Sequence, residues 1–183
     1  MRVITGTARG RVLKTLEGED VRPTTDRVKE AIFSIIQFEL EGRRVLDLFA
    51  GSGQLGIEAL SRGAAYATFT DMSAESVNIV KQNLISTKLQ NNAEVIRTEA
   101  DTFLKGNRKK YDIVFMDPPY SKGILQNTLP YAVKNVNDGG VIVCEHPYGE
   151  EMPQTVGDFS VYRGYKYGKI GITVYRKNEE DGQ

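Results

Sequence analysis

The chain is poor in the residues that bind metals and close disulfides: its 183 residues include one cysteine and one histidine. Cys144 has no second cysteine to pair with, so no internal disulfide can form and a reducing, cytoplasmic setting is expected. It ends the apolar run Val141-Ile142-Val143 and reads as core packing rather than as a nucleophile. His146 by itself cannot build a histidine-rich site, so no metal centre is expected. Long hydrophobic runs are also missing. The longest, such as Ile113–Met116 and Val141–Cys144, are strand-sized and too short to span a bilayer. The opening Met1-Arg2-Val3-Ile4-Thr5-Gly6 lacks the apolar stretch of a secretory signal, and none is expected there. Neither charge is in excess, since 24 basic and 24 acidic residues give a formal net charge of zero. Contact with a polyanion must therefore come from local patches.

What is present suits one soluble core: 40% hydrophobic and 26% charged residues, with no internal repeat, low-complexity tract or linker. We expect a single domain over residues 1–183, with 1–20 as a small basic hairpin extension. Strand-like runs alternate with helical periods. A strand at Val45–Leu48 is followed by a helix through Leu55, Ala59 and Leu60, and a second strand by a stripe of Val77, Val80, Leu84 and Ile85. Then come a strand at Ala93–Arg97, a short helix near Ala100–Lys105, a strand at Tyr111–Met116 and a helical stretch over Lys122–Asn137. Pro130 inside that stretch predicts a kink or separate turn. Asn137-Asp138-Gly139-Gly140 breaks it before the strand Gly140–Glu145. Asp158–Tyr165 and Lys169–Arg176, joined through Gly168, alternate like an antiparallel hairpin closing the sheet edge. The expectation is an α/β, Rossmann-like, doubly wound, mostly parallel sheet of seven strands with a C-terminal antiparallel hairpin.

Two motifs carry chemistry. The first is Val45-Leu46-Asp47-Leu48-Phe49-Ala50-Gly51-Ser52-Gly53-Gln54-Leu55-Gly56, an apolar run entering a glycine-rich turn that a helix leaves. Gly51, Gly53 and Gly56 satisfy G-x-G-x-x-G, so a dinucleotide site has to be weighed. Asp71 lies twenty positions beyond Gly51, at the tip of the next strand, where a carboxylate can take both hydroxyls of a ribose. Asp47 discriminates. A carboxylate before the first glycine repels a pyrophosphate at the helix N-terminus and favours a cationic ligand. S-adenosylmethionine, with its sulfonium and ammonium, fits that demand. The same Asp47 could instead be a turn residue capping the loop.

The second motif is Asp117-Pro118-Pro119-Tyr120, directly after the strand Tyr111–Met116. The prolines fix φ and remove two backbone donors, so the loop holds one shape and keeps carbonyls for accepting. The residue before a proline is pushed into extended backbone, which carries Asp117 straight off the strand tip. Acceptors at the floor and a flat ring on one wall suit an exocyclic amine of a planar base. The plainer alternative is a proline turn with Asp117 as a solvated cap and Tyr120 as a core ring. In a doubly wound sheet the turns at Asp47–Gly53, Asp71, Glu99-Ala100-Asp101 and Asp117–Tyr120 share the carboxyl edge. A methyl donor would lie across the first three with its methyl aimed at the fourth. Glu99 or Asp101 either flanks the adenine or caps a short helix. A buried Cys144 argues against attack at a pyrimidine C5.

These two motifs, with Arg22-Pro23-Thr24-Thr25-Asp26-Arg27-Val28-Lys29-Glu30, resemble the RsmD family of bacterial small-subunit ribosomal RNA guanine-N2 methyltransferases. The resemblance runs from Gly6-Thr7-Ala8-Arg9-Gly10-Arg11 to the final hairpin, and the Arg22–Glu30 block is its narrowest signature. It implies a class I methyltransferase fold and S-adenosylmethionine as donor. It implies one guanine of 16S ribosomal RNA, in an assembled or assembling subunit, as target. Phe33-Ser34 stands where many relatives have Phe-Asn, and Ser73 where a second acidic residue is frequent. The residues implied for the donor are Asp47, Phe49, Ala50, Gly51, Ser52, Gly53, Asp71, Met72, Glu99, Ala100 and Asp117. Asp117, Pro118, Pro119 and Tyr120 are implied for catalysis. A DNA adenine-N6 methyltransferase shares the Asp117–Tyr120 chemistry, and a non-catalytic dinucleotide- or RNA-binding module is the other rival.

Two stretches are locally basic. Arg2, Arg9, Arg11 and Lys14 fall within the first sixteen residues without an acid, and we expect Arg9 and Arg11 to contact RNA. The final hairpin carries Arg163, Lys166, Lys169, Arg176 and Lys177 among Tyr162, Tyr165, Tyr167 and Tyr175. That stripe reads more simply as an edge strand with charged faces. Lys105, Arg108, Lys109 and Lys110 read as a solvated loop. Arg22, Thr24 and Arg27 precede an amphipathic helix, either capping it or, as the resemblance implies, closing over donor and target.

Overall fold

A computed structural model describes residues 1–17, 26–120 and 123–179. In chain order the elements are α1 (Asp26–Ile35), β1 (Arg44–Asp47), α2 (Gln54–Ser61), β2 (Tyr66–Asp71), α3 (Ala74–Thr87) and β3 (Ala93–Arg97). They continue with α4 (Ala100–Gly106), β4 (Tyr111–Met116), α5 (Ile124–Ala132), β5 (Val136–Pro147), β6 (Thr155–Val156), β7 (Phe159–Tyr167) and β8 (Ile170–Lys177). The strands form one sheet in the order β3-β2-β1-β4-β5-β8-β7-β6. The first five run parallel and the last three join antiparallel.

Period-two burial builds a core on each face. Val45, Ile113, Phe115, Val141 and Val143 meet Val28, Ile32 and Phe33 of α1, Ile57 of α2 and Val80 of α3. Their alternates Leu46, Val114, Met116, Ile142 and Cys144 meet Leu104 of α4 and Leu125 and Leu129 of α5. Successive side chains of a strand point to opposite faces, so near-continuous apolar strands fill both layers.

Three expectations need correcting. The sheet has eight strands rather than seven, because Thr155–Val156 adds a two-residue strand outside β7. Helix α5 runs through Pro130 without a separate turn. Burial of Leu125, Leu129 and Ala132, at roughly 1.5–3 kcal/mol for each large side chain, offsets the roughly 3 kcal/mol an internal proline costs. Strand β5 begins at Val136, not Gly140, and takes up the glycine pair as an irregularity opposite Tyr111 and Ile113, with Gly139 at φ 76.

The N-terminal segment is a small hairpin with one antiparallel bridge, Arg2 to Val12. It is fastened to α2. The amides of Ile4 and Thr5 donate to Glu58 Oε2 and Oε1 at 2.9 and 3.0 Å, and the amide of Thr7 donates to the Ser61 carbonyl at 2.8 Å. Gly6 sits at φ 91, and a Cβ there would fall 1.8 Å from the Ser61 carbonyl oxygen, so only glycine allows this approach. Glu58 also accepts from Arg62 Nε at 2.9 Å and lies 3.5 Å from Lys29 Nζ. Val3, Ala8 and Leu13 share the core of that face.

Candidate active site

From β1 the chain moves outward to β2 and β3, then returns to β4 on the other side of β1. The gap between β1 and β4 is thus the topological switch point, where open α/β sheets bind ligands. The carboxyl ends of β1, β2 and β4 bring Asp47, Asp71 and Asp117 to one edge. Over that edge opens a cleft of about 860 Å³, within the range of small-molecule sites. Phe49 and Gly51 line it after β1, Asp71, Met72 and Ser73 after β2, and Glu99, Ala100 and Asp101 after β3. Asp117, Pro119 and Tyr120 line it after β4, and Leu16 and Glu17 close it from the N-terminal segment.

The glycine turn is shaped by packing from behind. Gly53, at φ 82, is the N-cap of α2, and a Cβ there would come within 3.2 Å of both Val80 methyls. A Cβ on Gly56 would sit 2.3 Å from Phe69 Cε1, so this glycine sets how closely α2 lies on β2. Two amides of the turn and first helical turn are already engaged. Gly51 donates to Asp71 Oδ2 at 3.0 Å and Gly56 to Asp47 Oδ2 at 2.9 Å. Carboxylates thus occupy donors of the kind a pyrophosphate needs, which counts against the dinucleotide reading. Ala50, Ser52 and Gly53 are buried and shape the turn rather than line the cleft.

Asp47 is 2% exposed and stands behind the cleft wall, capping α2. Its carboxyl is held up at about 8: burial raises it most, the Gly56 hydrogen bond pulls it down, and the charges of Asp117 and Asp71 add to the rise. Asp71 accepts from Ser73 as well, with its Oδ1 at 2.9 Å from that amide. Ser73 in turn caps α3 by accepting from the Ser76 amide at 3.3 Å. The two acids after β3 part company. Glu99 holds the N-cap position of α4 without a side-chain capping bond. Asp101 Oδ1 accepts from Thr128 Oγ1 at 2.9 Å, tying α4 to α5.

At the proline corner Pro118 is buried, Asp117 half-buried and Pro119 exposed. Tyr120 is 47% exposed, so it is no core ring. Behind the corner a narrow cleft of about 10 Å³, room for one water, is bounded by Pro118, Pro119, Tyr120 and His146. His146 Nε2 lies 2.8 Å from Thr173 Oγ1 and Nδ1 2.9 Å from the Pro147 carbonyl. Cys144 is fully buried, and burial holds its thiol well above the usual range.

The basic residues are spread apart. Arg9 and Arg11 are exposed on the hairpin docked at Ser61, the far end of α2. Eight helical residues, about 12 Å at 1.5 Å each, separate that end from Gly53. Arg27 is exposed on the first turn of α1, and Arg22 and Thr24 lie outside the described residues. Asn83 had no sequence signal, being one of three amide side chains in α3. Its Oδ1 accepts from the Lys14 amide at 2.8 Å. Its Nδ2 donates to the Lys14 and Ser52 carbonyls at 2.9 Å each. It joins the N-terminal segment to the glycine turn.

Residues 1–176 match a family profile described as conserved hypothetical protein 95. The chain is 34% identical to ribosomal RNA small subunit methyltransferase D of Escherichia coli (strain K12), over 98% of this chain and 91% of that protein. The chain belongs to the RsmD family. It is also 43% identical to YlbH of Bacillus subtilis (strain 168), over 97% of this chain and 99% of YlbH. Among solved structures YhhF of Escherichia coli superimposes with a TM-score of 0.88 at 35% identity, covering 98% of this chain and 99% of YhhF. The sheet order and the switch-point cleft of this RsmD-family chain are those of the class I methyltransferase fold, and no helix among the described residues is long and apolar enough to cross a membrane.

Proposed function

We propose that this RsmD-family chain transfers the methyl group of S-adenosylmethionine to the exocyclic N2 amine of a guanine in 16S ribosomal RNA, on an assembled or assembling small subunit. The observation that carries the reading is the junction, at one switch point, of the stiff Asp117–Tyr120 corner with a cleft that three carboxylates approach.

The residues present fit such a donor. A cation near Asp47, Asp71 and Asp117 relieves the repulsion that adds to burial in holding the Asp47 carboxyl up to about 8. On this reading Asp71 takes the ribose hydroxyls, Phe49 and Met72 make apolar contact, and Glu99 with Ala100 meets the adenine edge. The donor supplies an electrophilic methyl on a sulfonium. The chain supplies orientation. Guanine N2 is a weak nucleophile because its lone pair is delocalised into the ring. The Asp117 carboxylate and the Pro118 carbonyl accept its two hydrogens and turn the lone pair toward the cleft, and near-attack placement of this kind contributes several kcal/mol. Tyr120 stacks on the extruded base, worth about 1–3 kcal/mol.

The test incubates the protein and labelled donor with undermodified small subunits, free 16S RNA and duplex DNA, and maps the product. N2-methylguanosine at one RNA position is the expected result, while N6-methyladenine in DNA, or no transfer to any substrate, overturns the reading. Asp117→Ala should lower turnover at least about 100-fold with S-adenosylhomocysteine binding still measurable, and near-wild-type turnover removes that carboxylate from the chemistry.

A further inference from the structure

We propose that the tip of the β7–β8 hairpin, with Tyr148 beside it, is a docking strip for the RNA strand that carries the target base. The proposal rests on the RNA-methyltransferase reading above and adds where the flanking strand lies. Strand register locates the tip. Met116 at the end of β4 pairs with Cys144, and the next three residues of β5 pair with Ile172, Gly171 and Ile170 of β8. Those β8 residues pair on their other side with Tyr165, Lys166 and Tyr167. The three strands therefore run past the level of Met116 by three residues, about 10 Å at 3.3 Å each. They form a wall beside the Asp117–Tyr120 corner, with His146 and Pro147 bounding the same narrow cleft as Pro119 and Tyr120.

The wall carries the chemistry of single-strand binding. Lys166 Nζ lies 4.2 Å from the centroid of the Tyr148 ring, and both residues are exposed. The Tyr148 amide donates to the Lys169 carbonyl at 2.8 Å, which fixes ring and turn together. The five cations of the hairpin are not equivalent. Arg176 is paired with Glu39 and Lys177 with Asp138, at the end of β8 remote from the cleft. Lys166 and Lys169 make no ion pair among the described residues, and the nearby acid Glu150 accepts from Gln126 Nε2 at 3.0 Å. Of the cations left for an external anion, Lys166 and Lys169 stand at the acceptor end, next to an exposed aromatic face, while Arg163, opposite Val174, lies farther back along β7. Two ammonium groups for phosphates and a ring for a base are what a strand flanking an extruded nucleotide requires. The N-terminal patch of Arg9 and Arg11, docked at the other end of α2, does not offer this placement.

Michaelis kinetics on undermodified small subunits, at several salt concentrations, test the strip with Lys166→Glu/Lys169→Glu, Lys166→Gln/Lys169→Gln and Tyr148→Ala. The charge-reversed pair should raise KM on the order of tenfold with kcat little changed. The log-log salt dependence of kcat/KM should become shallower by about 0.7 per lost single-strand phosphate contact. The glutamine pair and Tyr148→Ala should move KM the same way by less. Calorimetry with S-adenosylhomocysteine should give wild-type affinity, which separates RNA docking from a folding defect. If the charge-reversed pair loses that affinity, the glutamine pair decides. Wild-type KM and salt slope in folded variants overturn the strip and leave the methyltransferase reading standing. A wild-type protein that modifies no RNA fails that reading instead.

Discussion

Asp47→Asn separates what this carboxylate costs the fold from what it does for the donor. In the folded chain burial and two neighbouring acids raise its carboxyl from 3.8 to about 8. Between those pH values the unfolded chain has released the proton while the folded chain keeps it, so the unfolded state binds fewer protons and stability falls as pH rises. The loss begins near pH 3.8, grows by about 1.4 kcal/mol per pH unit, reaches about 4 kcal/mol at pH 7 and levels off above about pH 8. Asparagine keeps an oxygen for the Gly56 amide, which Asp47 now meets at 2.9 Å, but has no proton to lose. The variant should match the wild type near pH 4 and exceed it by on the order of 4 kcal/mol at pH 7. For a chain of this size that is roughly 8–16 °C in Tm. Urea unfolding of both proteins across pH 4–9 measures the difference. Parallel stability curves would falsify the argument, because they would mean that Asp47 ionises in the fold without penalty. The same titration predicts binding: affinity of the wild type for S-adenosylmethionine should rise toward pH 8 as the carboxylate forms. Asp47→Asn should bind more weakly with a flat profile.

Other expectations follow from single contacts. Gly56→Ala places a methyl 2.3 Å from the buried Phe69 ring and should cost about 1–3 kcal/mol in chemical denaturation; an unchanged midpoint would show that α2 can lift off β2 freely. Glu58→Ala takes the carboxylate from Lys29 and Arg62, leaving Lys29 only the Arg2 carbonyl, and removes the acceptor of the Ile4 and Thr5 amides. About 3–5 kcal/mol should be lost, with faster hydrogen exchange at those two amides; exchange at wild-type rates would mean the N-terminal hairpin is held by other contacts. Tyr120→Ala should raise KM for the subunit about five- to 150-fold, matching about 1–3 kcal/mol of stacking, while Tyr120→Phe stays close to wild type. Equal kinetics for all three proteins would exclude a stacked base on this ring.

Much of the architecture was legible because it is locally encoded. The apolar runs at Val45, Ala67, Ala93 and Tyr111, each followed by a turn and a helical stripe, and the run at Val141 after the last of them predict a parallel sheet that the structure contains. The errors came where packing overrode a local rule. Pro130 is carried inside α5 by its buried neighbours, and the Asn137–Gly140 stretch is absorbed into β5. Thr155–Val156 is too short to give a strand period at all. Within the site, the acids were legible by type but not by placement. Asp71, Asp101 and Asp117 line the cleft, Asp101 while also bonding α4 to α5, whereas Asp47 caps α2 behind it.

From residue order alone one can read a turn that needs glycine and a corner that two prolines hold still, since φ preferences and side-chain periodicity act within a few neighbouring residues. Distance between remote segments is a different kind of quantity. Register across β4, β5, β8 and β7 sets it, through hydrogen bonds between residues far apart in the chain. That long-range pairing puts Lys166 and Lys169 beside the acceptor corner and leaves Arg9 and Arg11 at the opposite end of α2. No window of sequence contains it, so only the folded sheet could decide which basic patch lies beside the Asp117–Tyr120 corner.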